Sequence, residues 1–135
     1  MLGVKWGGAA FEPVGQRGED AAAAFLKGKG YTLLDRNVRV PMGEADIIAR
    51  DGEVIVLVEV KARLVDPCRP RPKAEAQVGA FKQRKLLSIM EHLTRANGWQ
   101  PVKKRIDVVA VEFDAGDPSA APVVRHLVNA VKRNQ

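Results

Sequence analysis

Residues 43–63 read GEADIIARDGEVIVLVEVKAR, two alternating runs joined at Asp51-Gly52. Val54, Val56, Val58 and Val60 fall on one side of an extended chain. Glu53, Ile55, Leu57, Glu59, Lys61 and Arg63 fall on the other. In the preceding run Ala45, Ile47 and Ala49 share a face. A period of two is the mark of a half-buried strand, and Asp-Gly between two such runs is a strong hairpin signal. The chain must therefore build a sheet and cover it.

The hairpin also fixes where its charges go. With Asp51-Gly52 as the two loop residues, Glu44 lies opposite Glu59 and Asp46 opposite Leu57. Opposite residues share a face, so Glu44, Asp46, Glu59 and Lys61 point the same way. Asp46 is then the diagonal neighbour of Glu59, at roughly 7–8 Å between Cα atoms. Two carboxylates at that spacing can converge on one ion. A hard divalent cation held by one or two carboxylates, with water and phosphate oxygens, fits magnesium. Like charges face to face weaken a sheet, and buried unpaired carboxylates are costly. A metal ion or Lys61 relieves both costs. The competing reading is a solvent-exposed hairpin end on which Lys61 screens the acids. Glu-x-Lys alone is a common pattern. Here it gains meaning from Asp46 on the adjacent strand and from the apolar run Val54–Val58, which sets it at a strand end.

The remaining periodicity supplies the cover. A helix is expected from about Gln16 to Gly28, with Glu19 and Asp20 in its first turn and a run of alanines behind them. Strands are expected over Tyr31–Val40, Glu44–Arg50, Glu53–Arg63, Arg105–Phe113 and Val123–Val128. Phe81–Ala96 carries a helical stripe of Leu86, Ile89, Met90 and Leu93. Ala74–Ala80 reads as a short helix. The three prolines of residues 64–73 mark a basic loop. The order is α-β-β-β-α-β-β, three antiparallel strands followed by a helical crossover to a parallel one. Residues 1–14 read as a loose arm, 15–131 as one domain and 132–135 as a polar tail.

Composition excludes several classes. The 135 residues have no apolar run that could span a bilayer or serve as a secretory signal. One cysteine excludes a disulfide framework, and neither histidine sits at ligand spacing with it. A cytoplasmic domain is expected. The net charge of +6 is uneven: residues 60–105 hold twelve bases and three acids, and the remainder sums to −3. Such a local excess points to a polyanion, most simply nucleic acid, or else to a solvated basic surface. With aromatics at 5%, stacking of successive unpaired bases is disfavoured, and phosphate-backbone contact fits better.

Individual side chains admit two readings each. Glu19 lies on the buried stripe of its helix, where it either seeks a partner or is a favourable first-turn charge. Lys82 extends the stripe of Leu86 and Ile89, and either reaches a phosphate or covers the core with its alkyl stem. Arg36, Arg39, Arg63, Arg69 and Arg71 are candidate phosphate contacts or solvated surface, as are Lys73 and Lys85. Asp107, after Arg105, reads as a structural ion-pair member, and His92 and His126 as structural.

A wider pattern joins these residues. Gly18-Glu19, Gly30-Tyr31, Arg36-Asn37, Arg39, residues 43–49 (GEADIIA), Glu59-Val60-Lys61-Ala62-Arg63, Val78 with Lys82-Gln83-Arg84-Lys85-Leu86, residues 105–109 (RIDVV) and Asn129-Ala130 occur in order. In these motifs the chain resembles the YraN-like family of uncharacterised bacterial proteins. That family is similar to archaeal Holliday junction resolvases and to the restriction-endonuclease-like PD-(D/E)xK superfamily. The resemblance implies a restriction-endonuclease-like α/β fold, a mixed sheet flanked by helices. It also implies an endonuclease that uses Mg²⁺ or Mn²⁺ on DNA, with branched or structured DNA as substrate and a homodimer as the working form. The alternative is a non-catalytic nucleic-acid-binding module or an adaptor of a DNA-processing complex. Under the resemblance Asp46 and Glu59 are metal ligands, with the Val60 carbonyl completing the set; Glu44, from its place on the hairpin face, is a further candidate. Lys61 is the catalytic lysine and Glu19 the helix acid near the metal; Lys82, from its own place on the helix, joins them as a candidate that holds the phosphate. Residues 64–73 depart from the family pattern in length and in Pro and Arg content. Ile106 stands where the family pattern has Phe.

Overall fold

The computed structural model describes residues 14–69 and 71–132. Residues 1–13 of the expected arm and 133–135 of the tail lie outside the described residues. The elements are α1 (Val14–Gly28), β1 (Thr32–Val40), β2 (Gly43–Asp51), β3 (Val54–Val65), a 3₁₀ turn (Ala74–Gln77), α2 (Ala80–Asn97), β4 (Lys104–Asp114) and β5 (Val123–Val131). The five strands form one mixed sheet in the order β1-β2-β3-β4-β5. The first three are antiparallel, β3 and β4 are parallel through the α2 crossover, and β5 returns antiparallel.

Each face of the sheet is covered by one helix. Ala22, Ala23 and Leu26 of α1 pack with Ile47, Ala49, Val56, Val58, Val109 and Val111. Leu86, Ile89, Met90 and Leu93 of α2 pack with Ala45, Ile48, Ile55, Leu57 and Ile106. The stripe read from the α2 sequence is thus its core face, and each such buried aliphatic side chain contributes roughly 1.5–3 kcal/mol. α2 stops at Gly98, whose left-handed φ of 68° lets the Trp99 N–H reach the Thr94 carbonyl.

Three expectations are corrected. α1 is already helical at Val14, so Glu19 and Asp20 sit beyond its first turn. The expected short helix at Ala74–Ala80 is a 3₁₀ turn ending at Gln77. In the hairpin Asp51 pairs with Val54, so Gly52-Glu53 form the loop and the register moves by two residues. A shift of two keeps every side chain on its face.

The basic loop is tied to the sheet by a charge network. Arg125 on β5 donates to Glu75 at 2.7 and 2.8 Å and meets Glu112 at 2.9 Å. Glu112 also accepts from Arg63 and from the Ala74 N–H, and Arg63 donates to the Pro72 carbonyl. The paired arginine holds the Glu75 carboxyl down at about 2, against the opposing effect of burial.

Two expected outcomes test these contacts. A methyl group at Gly18 would run into the side chain of Ala62, so α1 lies against β3 with no spare room. Gly18→Ala should lower unfolding free energy in urea by about 1–3 kcal/mol, and Ala62→Gly should recover part of it. Equal stability of Gly18→Ala and wild type would refute that close approach. Glu75 titrates lower when folded than unfolded, so its stabilisation is present above the ordinary carboxyl value and is lost as pH falls toward 2. The melting-temperature advantage of wild type over Glu75→Gln should therefore be full at pH 6 and vanish near pH 2.

Candidate active site

β2 and β3 share a ladder only from Asp51↔Val54 to Ile47↔Val58. Beyond that point β2 stays paired with β1 as far as Gly43, and β3 stays paired with β4 as far as Val65. The sheet therefore forks. Across the fork the Val60 N–H donates to Asp46 Oδ2 at 2.8 Å. Continuing the hairpin register by one step sets Asp46 opposite Glu59, rather than diagonal to it.

β1 and β2 turn over at this level. Ala45 packs on the α2 side and Ile47 on the α1 side, although they are two residues apart. On β1, Arg36 reaches Asp20 of α1, whereas Val38, two residues on, lies with the α2 cluster. Asn37, between the pairs Arg36↔Ile47 and Val38↔Ala45, takes the left-handed φ of 54°. Asparagine tolerates that conformation better than most residues. The reversal corrects two expectations: Ala45 and Ile47 do not share a face, and Glu44 does not join Glu59. Glu44 turns instead toward the neighbourhood of Glu19 and pairs with the exposed Arg39 at 3.6 Å.

Glu59 is only 4% exposed. Lys82 Nζ stands 3.3 Å and Lys61 Nζ 3.8 Å from its Oε2. Burial, with Asp46 adding repulsion, pushes the Glu59 carboxyl up to about 7, and the two ammonium groups only partly oppose this. Glu19 is raised too, first by burial and then by Asp46, with Arg36 and Asn37 opposing. Its Oε1 is buried without a hydrogen-bond partner, Arg36 Nη2 standing 3.7 Å away.

This donor set can be tested against a divalent cation. Among the described residues no three His, Cys, Asp or Glu side chains stand together as a ready-made metal cage. What is present is a close pair, Asp46 and Glu59, whose mutual repulsion a cation would relieve. An orphaned Glu19 oxygen lies in the field of the same Asp46. Oxygen donors of this kind fit a hard ion that keeps much of its water, as Mg²⁺ does. The Val60 group that the geometry ties to the pair is its N–H.

The predicted phosphate contacts divide into three groups. Arg63, Arg69, Arg71 and Lys73 line one cleft of about 600 Å³, although Arg63 is committed to Glu112 and Pro72. Arg36 is held by Asp20 at 2.8 Å on the α1 side, and Arg39 lies near it in the sequence of β1. Lys85 lies on α2, its stem against Gly43. Asp107 is fully buried and satisfied by Arg105, His126 and the Asn129 N–H, which makes it structural, as its sequence context implies. The ion pair of Lys82 with Glu59 is not foreseeable from spacing, because α2 arrives at β3 through a crossover. The Glu75–Arg125–Glu112 network leaves no signal, as its members come from three separated segments.

The family model described as uncharacterised protein family UPF0102 matches residues 18–111. The chain belongs to this family, the YraN-like one. A UPF0102 protein of Geobacter sulfurreducens is 41% identical over 118 residues, 87% of each chain. One from Geotalea uraniireducens is 38% identical over 117 residues, again 87% of each. A third, from Symbiobacterium thermophilum, is 46% identical over 99 residues, 73% of this chain and 81% of its own. The matched region contains Glu19, Asp46, Glu59, Lys61 and Lys82. No helix among the described residues is long and apolar enough to cross a membrane.

The buried pair makes stability depend on pH. Folded Glu59 holds its proton to about 7, above the ordinary 4.5, so the folded state binds more protons between these values and loses stability as pH rises through them. In chelator, wild type should lose melting temperature from pH 5 to 8 relative to Glu59→Gln, which should be the more stable at pH 8. Parallel profiles would show that Glu59 carries no such cost.

Proposed function

We propose that this protein is a metal-dependent phosphodiesterase acting on DNA, with branched or structured DNA as its substrate. The observation that carries this reading is the pairing of Asp46 with the buried Glu59 across the fork in the sheet, with Lys61 and Lys82 both at Glu59. Pairs of acids whose surroundings push a pKa far from its usual range cluster at functional sites. The meander of three antiparallel strands, the crossover to a parallel fourth and the helix on each face support a restriction-endonuclease-like fold.

Asp46 and Glu59 are the residues that would hold Mg²⁺ or Mn²⁺, with Glu19 behind them. A divalent cation there would supply an activated water and neutralise charge on a phosphoryl oxygen. The chain's own contribution is electrostatic and positional. Lys61, anchored beside Glu59, presents an ammonium to a phosphate at the fork. Lys82 brings a second from α2. The cleft lined by Arg69, Arg71 and Lys73 offers contacts to the flanking backbone, which fix register without reading sequence. Acting on a two-fold junction would call for two copies of the chain.

A second reading has its own support. Both lysines already stand at Glu59, and no three-acid cage is present among the described residues. A non-catalytic nucleic-acid-binding module, or an adaptor, would need no more than that.

Incubation with linear, nicked, flap and four-way DNA in Mg²⁺, Mn²⁺ or EDTA separates these readings. Metal-dependent cutting is expected, reduced about 100-fold or more in Asp46→Asn, Glu59→Gln and Lys61→Ala, with binding in EDTA retained. Salt-sensitive binding without cutting on any substrate would leave the binding module standing. Negligible affinity at all salt concentrations would leave the adaptor.

A further inference from the structure

One face of α2 beside the acidic pair has no assigned role. Phe81 is 72% exposed, an unusual state for a phenylalanine on the first turn of a well-packed helix. Phe81, Arg84, Lys85 and Ser88 follow at helical spacing. With Met42 from the turn between β1 and β2 they line a shallow cleft of about 270 Å³. Neither Arg84 nor Lys85 pairs with an acid among the described residues. The cleft adjoins the candidate site on two sides. Lys82, next to Phe81, reaches Glu59 at 3.3 Å. The stem of Lys85 passes so close to Gly43 that a Cβ there would lie 3.3 Å from its Cε, and Gly43 is on the same strand as Asp46.

We propose that this cleft receives one unpaired nucleotide of the strand whose phosphate lies at the fork, its base stacked on the Phe81 ring and its phosphate met by Arg84 and Lys85. The inference rests on the phosphodiesterase reading and narrows its substrate to DNA that exposes a single-stranded nucleotide beside the scissile position. The reasons are chemical. An aromatic ring left in water gains by covering its face, and a base offers a flat partner of any sequence. The two free cations one turn further along match the phosphate that every nucleotide carries. A low aromatic content excludes a long stacking platform, but one ring suffices for one base.

The test is binding by the full-length protein in EDTA, so that cutting plays no part. The probe is a short single-stranded oligonucleotide carrying one 2-aminopurine, compared with the same sequence as a duplex. Wild type should prefer the single strand and quench the probe. Phe81→Ala and Phe81→Leu should weaken single-strand binding by about 5- to 100-fold and leave duplex binding unchanged. Phe81→Trp should retain it, and Arg84→Ala should lower the salt slope by about 1. Phe81 is exposed, and an unchanged melting temperature checks that each variant is folded. Equal single-strand affinity of Phe81→Ala and wild type would overturn the proposal, as would full retention by Phe81→Leu. A loss of dimer in sedimentation with DNA affinity unchanged would also overturn it, by assigning this face to a second copy of the chain. The two readings fail separately. Ring-dependent binding by a protein that never cuts would sink the phosphodiesterase alone, and metal-dependent cutting indifferent to Phe81→Ala would sink the stacking cleft alone.

Discussion

Where β2 leaves β3, the Val60 N–H has no strand partner and the Asp46 carboxylate accepts from it at 2.8 Å. A buried donor left unmade there would cost about 1–3 kcal/mol. Meeting that need with a side chain brings a second acid beside the most buried glutamate of the sheet. Glu59 cannot turn away, because β3 holds it between Val58 and Val60, whose side chains pack into the α1-side core. The repulsion is therefore built in, and Lys61 and Lys82 answer it only in part. The same fork that ends the ladder gives the charges room to meet a ligand.

A second buried carboxylate shows what a settled acid looks like. Asp107 is fully enclosed, yet Arg105 lies at 2.9 Å, His126 at 2.8 Å and the Asn129 N–H at 2.8 Å. Lys29 meets the other ring nitrogen of His126, and Tyr31 accepts from Arg105 and sets its ring edge-on to His126, so the chain of contacts closes on itself. Glu59 has only the longer lysine contacts and an acid for a neighbour. Burial alone does not distinguish structural acids from chemical ones, whereas the quality of their partners does.

Much of this was legible in the sequence. The alternation of Val54–Val60 and the stripe of Leu86, Ile89 and Leu93 gave the layers, because burial on one side imposes its period on the residues. The Asp-Gly signal sets the hairpin loop one residue early, which moves the register by two, so Glu59 and Lys61 keep their face. The reversal at Asn37 and Asp46 was hidden, since alternation presumes a regular strand and one left-handed residue breaks it. That is why alternation groups Glu44 with the wrong partners. The contact of Lys82 with Glu59 and the clamp on the basic loop depend on which elements meet, and no local pattern carries that information.

Both outermost strands of this sheet are irregular. The ladder of β1 slips between Leu33 and Asp35, and that of β5 slips opposite the step from Ile106 to Val108, where Asn129 takes a φ of 55°. An open five-stranded sheet presents two rows of free backbone groups, each an invitation to a strand from another molecule. Kinks on both margins spoil the template such a strand would need. The protein thus carries its own protection against edge-to-edge aggregation at both sides of the sheet.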